Sequence, residues 1–256
     1  MSAKKIILCP NPNRDQGMKA TRAAEGILRQ MGFQTVVCSP FRDRKEGAFG
    51  DYDVQPLPQE LRGADLLITF GGDGTILHLA KLAALHKMPV LGVNMGGLGF
   101  VAELEVSELE QLRRLKDWQF EMEQRMMLDV SVFRDGRQIY TNLGLNEAVI
   151  REGPISHVIH LKISSDGRHL ADIAGDGVIV ATPTGSPAYS LSAGGAGGGA
   201  GGPDHGGLPH LHPQHALFLL RPQPRAHADG GAGAERTEAG LPFRGREPGL
   251  CPAGGR

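Results

Sequence analysis

Residues 64–94 limit the fold more than any other stretch. "ADLLITF" is an apolar run of strand length, and it ends in the glycine turn "GGDGT". "ILHLAKLAALHK" follows with apolar residues at helical spacing, and "MPVLGVN" is a second apolar run. Strand, glycine turn, helix, strand is the unit of a parallel sheet, with ligand loops at the C-terminal ends of the strands. The preceding residues repeat the pattern. "KKIILC" reads as a buried strand, "DQGMKATRAAEGILRQM" as a helix stopped by Gly32, and "FQTVVC" as another strand.

The character changes near residue 122. From there to Ala181 the chain shortens into strand-like runs, "MLDVSVF", "RQIYTNLG", "NEAVI", "SHVIHLKIS" and "GVIVAT". Asp135-Gly136 and Asp166-Gly167 are hairpin turn signals. The expected fold class is therefore α/β. A Rossmann-like parallel domain spans 1–121. A mostly β, sandwich-type domain begins at 122, and its readable part ends at 195.

A third zone, 196–256, holds 15 of the 37 glycines and 8 of the 17 prolines, and no Val, Ile, Lys, Ser, Asn, Tyr or Met. Without Val or Ile it is expected neither to form strands nor to pack, and to remain disordered.

The totals exclude several function classes. A net charge of -1 gives nucleic acid no electrostatic footprint. Cys9, Cys38 and Cys251 are too few and too scattered for a disulfide framework or zinc site, which fits a reducing, cytoplasmic setting. Ile6 to Cys9 is too short an apolar run for a signal segment, and no later run is long enough to span a membrane.

Gly71 and Gly72 stand where a strand becomes a helix. Without Cβ atoms, their backbone amides can approach phosphate oxygens, and the helix N-terminus adds its dipole. Asp73 points into the same space. A carboxylate there suits the hydroxyl nucleophile of a phosphoryl transfer, which must be held in line and relieved of its proton. The local pattern equally fits an Asp-Gly turn in which Asp73 caps the helix. It is not a Walker A loop, because the Gly-Lys-Ser/Thr ending is missing.

In "LNEAVI", Asn146 and Glu147 place an amide beside a carboxylate, a pair able to grip two ribose hydroxyls or to form a polar strand edge. "GDGVIVATPTGSPAYSLSAGG" runs from an Asp-Gly turn at Asp176 through a strand to a loop with Thr184, Ser186, Tyr189, Ser190 and Ser192. Hydroxyls and one aromatic on a tight loop suit a nucleotide, or else a plain helix cap. His157 on a strand has the ordinary reading of a surface histidine.

Together "GGDGT", "NMGGLGF", "EQRMML", "LNEAVI", "GDGVIVATPTGS" and "AYSLSAGG" resemble the NAD kinase family in order and spacing over residues 1–195. "GGDGT" alone is shared with diacylglycerol-type lipid kinases, the alternative reading, but the later blocks separate the two. The resemblance implies phosphorylation of the 2′-hydroxyl on the adenosine ribose of NAD by ATP, giving NADP, with a divalent metal, usually Mg²⁺, on the ATP phosphates. It makes Asp73 the catalytic carboxylate and places Gly71, Gly72, Gly74 and Thr75 along the phosphates. Phe100 packs near adenine, and Asn146 and Glu147 bind NAD hydroxyls. His157, Ala174 and Asp176 match further nucleotide contacts. Pro187, Ala188, Tyr189, Ser190, Leu191 and Ser192 match the adenine and ribose loop. Pro187 departs from the family's usual Thr, which removes a hydroxyl and a backbone donor. A homo-oligomer, dimer or tetramer, is also implied.

The family continues after "SAGG" with segments absent here. Read one base forward, the codons from Ala196 onward can encode Pro-Val-Val-Glu-Pro, and those from Pro209 to Pro213 can encode Pro-Ile-Cys-Thr-His. These are the family's segments at its spacing. Residues 196–256 thus resemble a frameshifted C-terminus, which would leave the β domain incomplete; a nucleotide-binding remnant without turnover is the further alternative to the kinase reading.

Overall fold

The computed structural model describes residues 4–41, 48–97, 99, 101–117, 120–153, 157–195 and 216–222. All of them lie within one compact unit, Met1–Gln223.

The first half alternates as its apolar runs predict. Strand β1 (Lys5–Pro10) leads through a 3₁₀ turn to helix α1 (Lys19–Gln30) and strand β2 (Gln34–Val37). A short helix α2 (Leu57–Glu60) precedes strand β3 (Leu66–Gly71), helix α3 (Asp73–Leu85) and strand β4 (Val90–Asn94). Strand β5 (Leu104–Glu105) and a 3₁₀ stretch, Val106–Asp117, follow. The strands run β2-β1-β3-β4 in parallel, with Ile7 opposite Leu67 and Leu67 opposite Val90.

Both faces of this sheet are covered, which is why its strands read as continuous apolar runs rather than alternating ones. Ile7, Cys9, Leu67 and Val90 face one way and are buried with Ile76, Leu79 and Ala83 of α3. Ile6, Leu8, Ile68 and Phe70 face the other way and are buried with Leu28 of α1 and with Leu112 and Leu115.

Strand β6 (Phe120–Met126) crosses the boundary expected at residue 122 and belongs to this same sheet. Beyond it the antiparallel part consists of strands β7 (Leu128–Arg134), β8 (Arg137–Gly144), β9 (Glu147–Arg151), β10 (Ile159–Ser165), β11 (Arg168–Gly175) and β12 (Gly177–Ala181). They pair as three two-stranded ribbons, β7-β8, β9-β12 and β10-β11. Among the described residues no wider sandwich sheet forms. Asp135-Gly136 and Asp166-Gly167 take positive φ at both turn positions, +50° and +74° in each, as the expected hairpins require.

One expectation is corrected. Ala216–Pro222, inside the zone expected neither to form strands nor to pack, is strand β13. It sits between β4 and β6, parallel to the first through Leu219 opposite Val90 and antiparallel to the second from Ala216 opposite Met126 to Pro222 opposite Phe120. Leu217 and Leu219 are buried on the α3 side, and Leu220 on the other. A strand buried on both faces needs apolar bulk more than β-branching, and Leu supplies it. The remainder of 196–256 lies outside the described residues. No helix among those described is long and apolar enough to cross a membrane.

Candidate active site

Gly71 ends β3, and Gly72, in extended conformation, is the N-cap of α3. Asp73 is therefore the first helical residue, half-buried at the positive end of the helix dipole. An acid here commonly turns back to its own helix amides. Asp73 instead reaches across to the turn after β4, where its Oδ1 accepts hydrogen bonds from the backbone N–H groups of Val101 (3.1 Å) and Ala102 (3.3 Å). Gly74 is exposed and Thr75 is buried. Asn11, at the end of β1, donates from Nδ2 to Thr75 Oγ1 (3.3 Å), and its own N–H bonds Phe70 O (2.8 Å). The glycine turn is thus braced from the neighbouring strand.

Asn146 and Glu147 open β9. Thr182, buried just past β12, donates its hydroxyl to Leu145 O (2.6 Å) and its N–H to Asn146 O (2.8 Å). Gly185 N–H returns to Thr182 O (3.1 Å), and Ser186 N–H does the same (2.9 Å). A Cβ on Gly185 would lie 2.1 Å from Asn146 O, so only glycine fits against this backbone. The "LNE" and "TPTGS" segments are therefore one assembly. Leu145 is buried in the same apolar cluster as Ile76 and Leu79, so the assembly is seated on the side of the sheet that carries α3.

Asn146 Oδ1 and Glu147 Oε2 are buried without a hydrogen-bond partner. Burial pushes the Glu147 carboxyl above the ordinary carboxylate range. Buried acceptors without donors are costly, and they suit a ligand that brings hydroxyl groups.

The remaining expected residues divide. Asp176, Tyr189 and Ser190 line one cavity of about 630 Å³ along the β9-β12 ribbon, together with Glu152, Val149 and Ile179. Asp73, Asn146 and Glu147 do not line it. Pro187 and Ala188 lie in the short helical turn Ser186–Ser190. Pro187 occupies its beginning, where a missing N–H is tolerated, so its departure from Thr costs no helix bond. Leu191 and Ser192 are exposed, with Ser192 Oγ donating to Ala188 O (3.3 Å). Ala174 is exposed on β11 opposite His160, and His157 is exposed ahead of β10. Phe100 lies outside the described residues. Sequence reasoning missed Asn11, Asn94 and Thr182, whose roles come from partners on other elements. A second cavity, about 400 Å³, is lined by Arg22, Glu25 and Tyr52 at the β2 edge, apart from every motif residue.

The family described as the ATP-NAD kinase N-terminal domain matches residues 8–116, and the ATP-NAD kinase C-terminal domain matches 145–197. The chain is 35% identical over 221 residues to an NAD kinase of Ruminiclostridium cellulolyticum, covering 86% of this chain and 71% of that protein. It is 36% identical over 195 residues to one from Acetivibrio thermocellus, covering 75% of this chain and 65% of that protein. The chain thus spans about two thirds of the length of such relatives. Among solved structures, yeast NADH kinase complexed with NADH superposes with a TM-score of 0.61 at 25% identity, over 78% of this chain and 63% of that one. An NAD kinase from Archaeoglobus fulgidus in complex with ATP shares the fold, with a TM-score of 0.53 at 22% identity, over 85% of this chain and 71% of that one.

Proposed function

The chain belongs to the ATP-NAD kinase family, and from that premise we propose that it transfers the terminal phosphate of ATP to the 2′-hydroxyl on the adenosine ribose of NAD, giving NADP and ADP. The observation that carries this reading is the carboxylate of Asp73 at the N-terminus of α3, turned by two backbone amides of the neighbouring turn. Phosphoryl transfer asks the protein for positioning and charge stabilisation rather than covalent chemistry. The glycine amides and the α3 dipole receive the phosphates. Asp73 accepts the proton of the attacking hydroxyl as its oxygen bonds to phosphorus and the bond to ADP breaks. The unpartnered oxygens of Asn146 and Glu147 accept hydrogen bonds from NAD hydroxyls.

Among the described residues no group of three or more His, Cys, Asp or Glu side chains is placed to hold an ion. Magnesium belongs to the same proposal as part of the substrate, carried on the ATP phosphates. The cavity at Asp176, Tyr189 and Ser190 is assigned to the nucleotide, and Ala174, His157 and the 187–192 loop remain part of that assignment. A homo-oligomer, dimer or tetramer, belongs to the same proposal. It is supported by exposed apolar side chains on the ribbons, Ile139 on β8 and Leu170 on β11. A cytoplasmic location belongs to it as well. The lipid-kinase alternative is not favoured, because the relatives and the matched C-terminal segment are those of NAD kinases.

The test is direct. The purified chain, given NAD, ATP and Mg²⁺, forms NADP, and omission of ATP abolishes the product. Binding of NAD with no NADP formed overturns the enzymatic reading and leaves a nucleotide-binding protein.

A further inference from the structure

We infer that Asn94 is a positioning residue for Asp73, acting through the turn that joins β4 to β5; the inference rests on the role proposed above for Asp73. Asn94 is the last residue of β4 and is 5% exposed. Its Nδ2 donates to Gly97 O (2.7 Å) and to Glu105 Oε1 (2.9 Å). Both protons of one amide are used, one on the middle of the turn and one on β5. The turn is tied at its ends too. Met95 N–H bonds Gly71 O (2.9 Å), and Glu103 N–H bonds Gly92 O (3.0 Å).

With Met95, Gly97 and Glu103 each bonded to a strand residue, two consecutive amides, Val101 and Ala102, meet a single carboxylate oxygen. It also comes close on a second side. A Cβ on Gly99 would lie 3.2 Å from Asp73 Oδ1, inside comfortable contact. The Asp73 carboxylate is thus held by amides 28 and 29 residues away in sequence. The Asn94 amide ties Gly97, ahead of those two amides, to Glu105, after them. Asn94 lies opposite Gly71 in the β3-β4 ladder, while its side-chain amide is spent on Gly97 and Glu105. Its effect on the reaction passes through backbone geometry, to which proton transfer is steeply sensitive.

The experiment uses the full chain carrying Asn94→Ala and reads two quantities. In nuclear magnetic resonance, the amide signals that move in Asp73→Ala identify Val101 and Ala102. Those same signals shift in Asn94→Ala and lose protection from hydrogen exchange. In the kinase assay, kcat falls on the order of 10-fold to 100-fold while KM for both nucleotides is unchanged. Adding Asn94→Ala to Asp73→Asn slows the reaction no further, because both act through one carboxylate. Asn94→Ser, a smaller change that also loses the two bonds, is read the same way if the alanine variant does not fold. Gly99→Ala, which presses on Asp73 without touching Asn94, gives the same pair of signs. Unmoved Val101 and Ala102 amides in the Asn94 variants, or kcat losses that add to that of Asp73→Asn, overturn the inference. If no variant and no wild-type sample forms NADP, the proposed function fails while the amide readout still decides this inference.

Discussion

Glu147 joins burial, an unpartnered oxygen and a raised proton affinity in one side chain. The sign of its linkage is fixed by that direction. Its carboxyl in the folded chain lies above the unfolded value, so the folded state holds the proton longer. Its contribution to stability is complete below the ordinary carboxylate range and is lost as pH rises through the raised value. Glu147→Gln removes this loss. Thermal unfolding followed from acid to neutral pH should show the variant gaining on the wild type as pH rises, and a constant offset contradicts the assignment. The same substitution keeps an acceptor but changes its charge. Asn146→Ala removes an acceptor and should weaken NAD binding by about 1–3 kcal/mol, with ATP affinity little changed. Calorimetry with each nucleotide checks it, and equal losses for both would place Asn146 in general folding. These two residues stood out in the sequence because an amide beside a carboxylate is chemically legible. Asn94 was not, since its importance lies in Gly97 and Glu105, which no local pattern connects to Asp73.

Elements differ in how plainly they announced themselves. β1, β3 and β4 were legible because burial on both faces demands unbroken apolar runs. β6, "FEMEQRM", was not, because its charged residues hide a strand that exists by pairing with β13. β11, "RHLADIAG", is defined by its partner β10 across the Asp166-Gly167 turn rather than by its own composition. β13 was masked by the glycine and proline around it. Leu219 is fully buried opposite Val90, and Leu219→Ala should cost about 2–5 kcal/mol as the cavity it leaves fails to close. Chemical denaturation measures it, and a change near zero removes β13 from the folded sheet. The loop that seats Asn146 has a corresponding weak point. Gly185→Ala forces a Cβ into the Asn146 backbone and should cost about 1–3 kcal/mol and also reduce NAD affinity. Stability loss with unchanged affinity would separate this loop from the nucleotide.

For the whole molecule, two structural regimes meet around α3. The parallel sheet presents Asp73 at the end of β3, and the antiparallel ribbons bring Asn146 and Glu147 to the same side through Leu145. The α/β order and the glycine turn were readable because backbone geometry restricts which residues they accept. The relation between the two regimes was not, because it depends on packing between segments distant in the chain, such as Leu145 against the cluster of Ile76 and Leu79. The family match stops at residue 197, and the chain spans 65% of the Acetivibrio relative. Function in this chain therefore rests on whether the sites before that point act together. The most direct measurement is NADP formation by the wild-type chain and by Asp73→Asn, with NAD affinity determined on both. The account predicts that Asp73→Asn binds NAD like the wild type and loses kcat on the order of 10²-fold or more, as expected when a proton acceptor is removed from an otherwise intact site. A variant whose kcat stays within a few-fold of wild type contradicts it and returns Asp73 to the role of a residue that only shapes the start of α3.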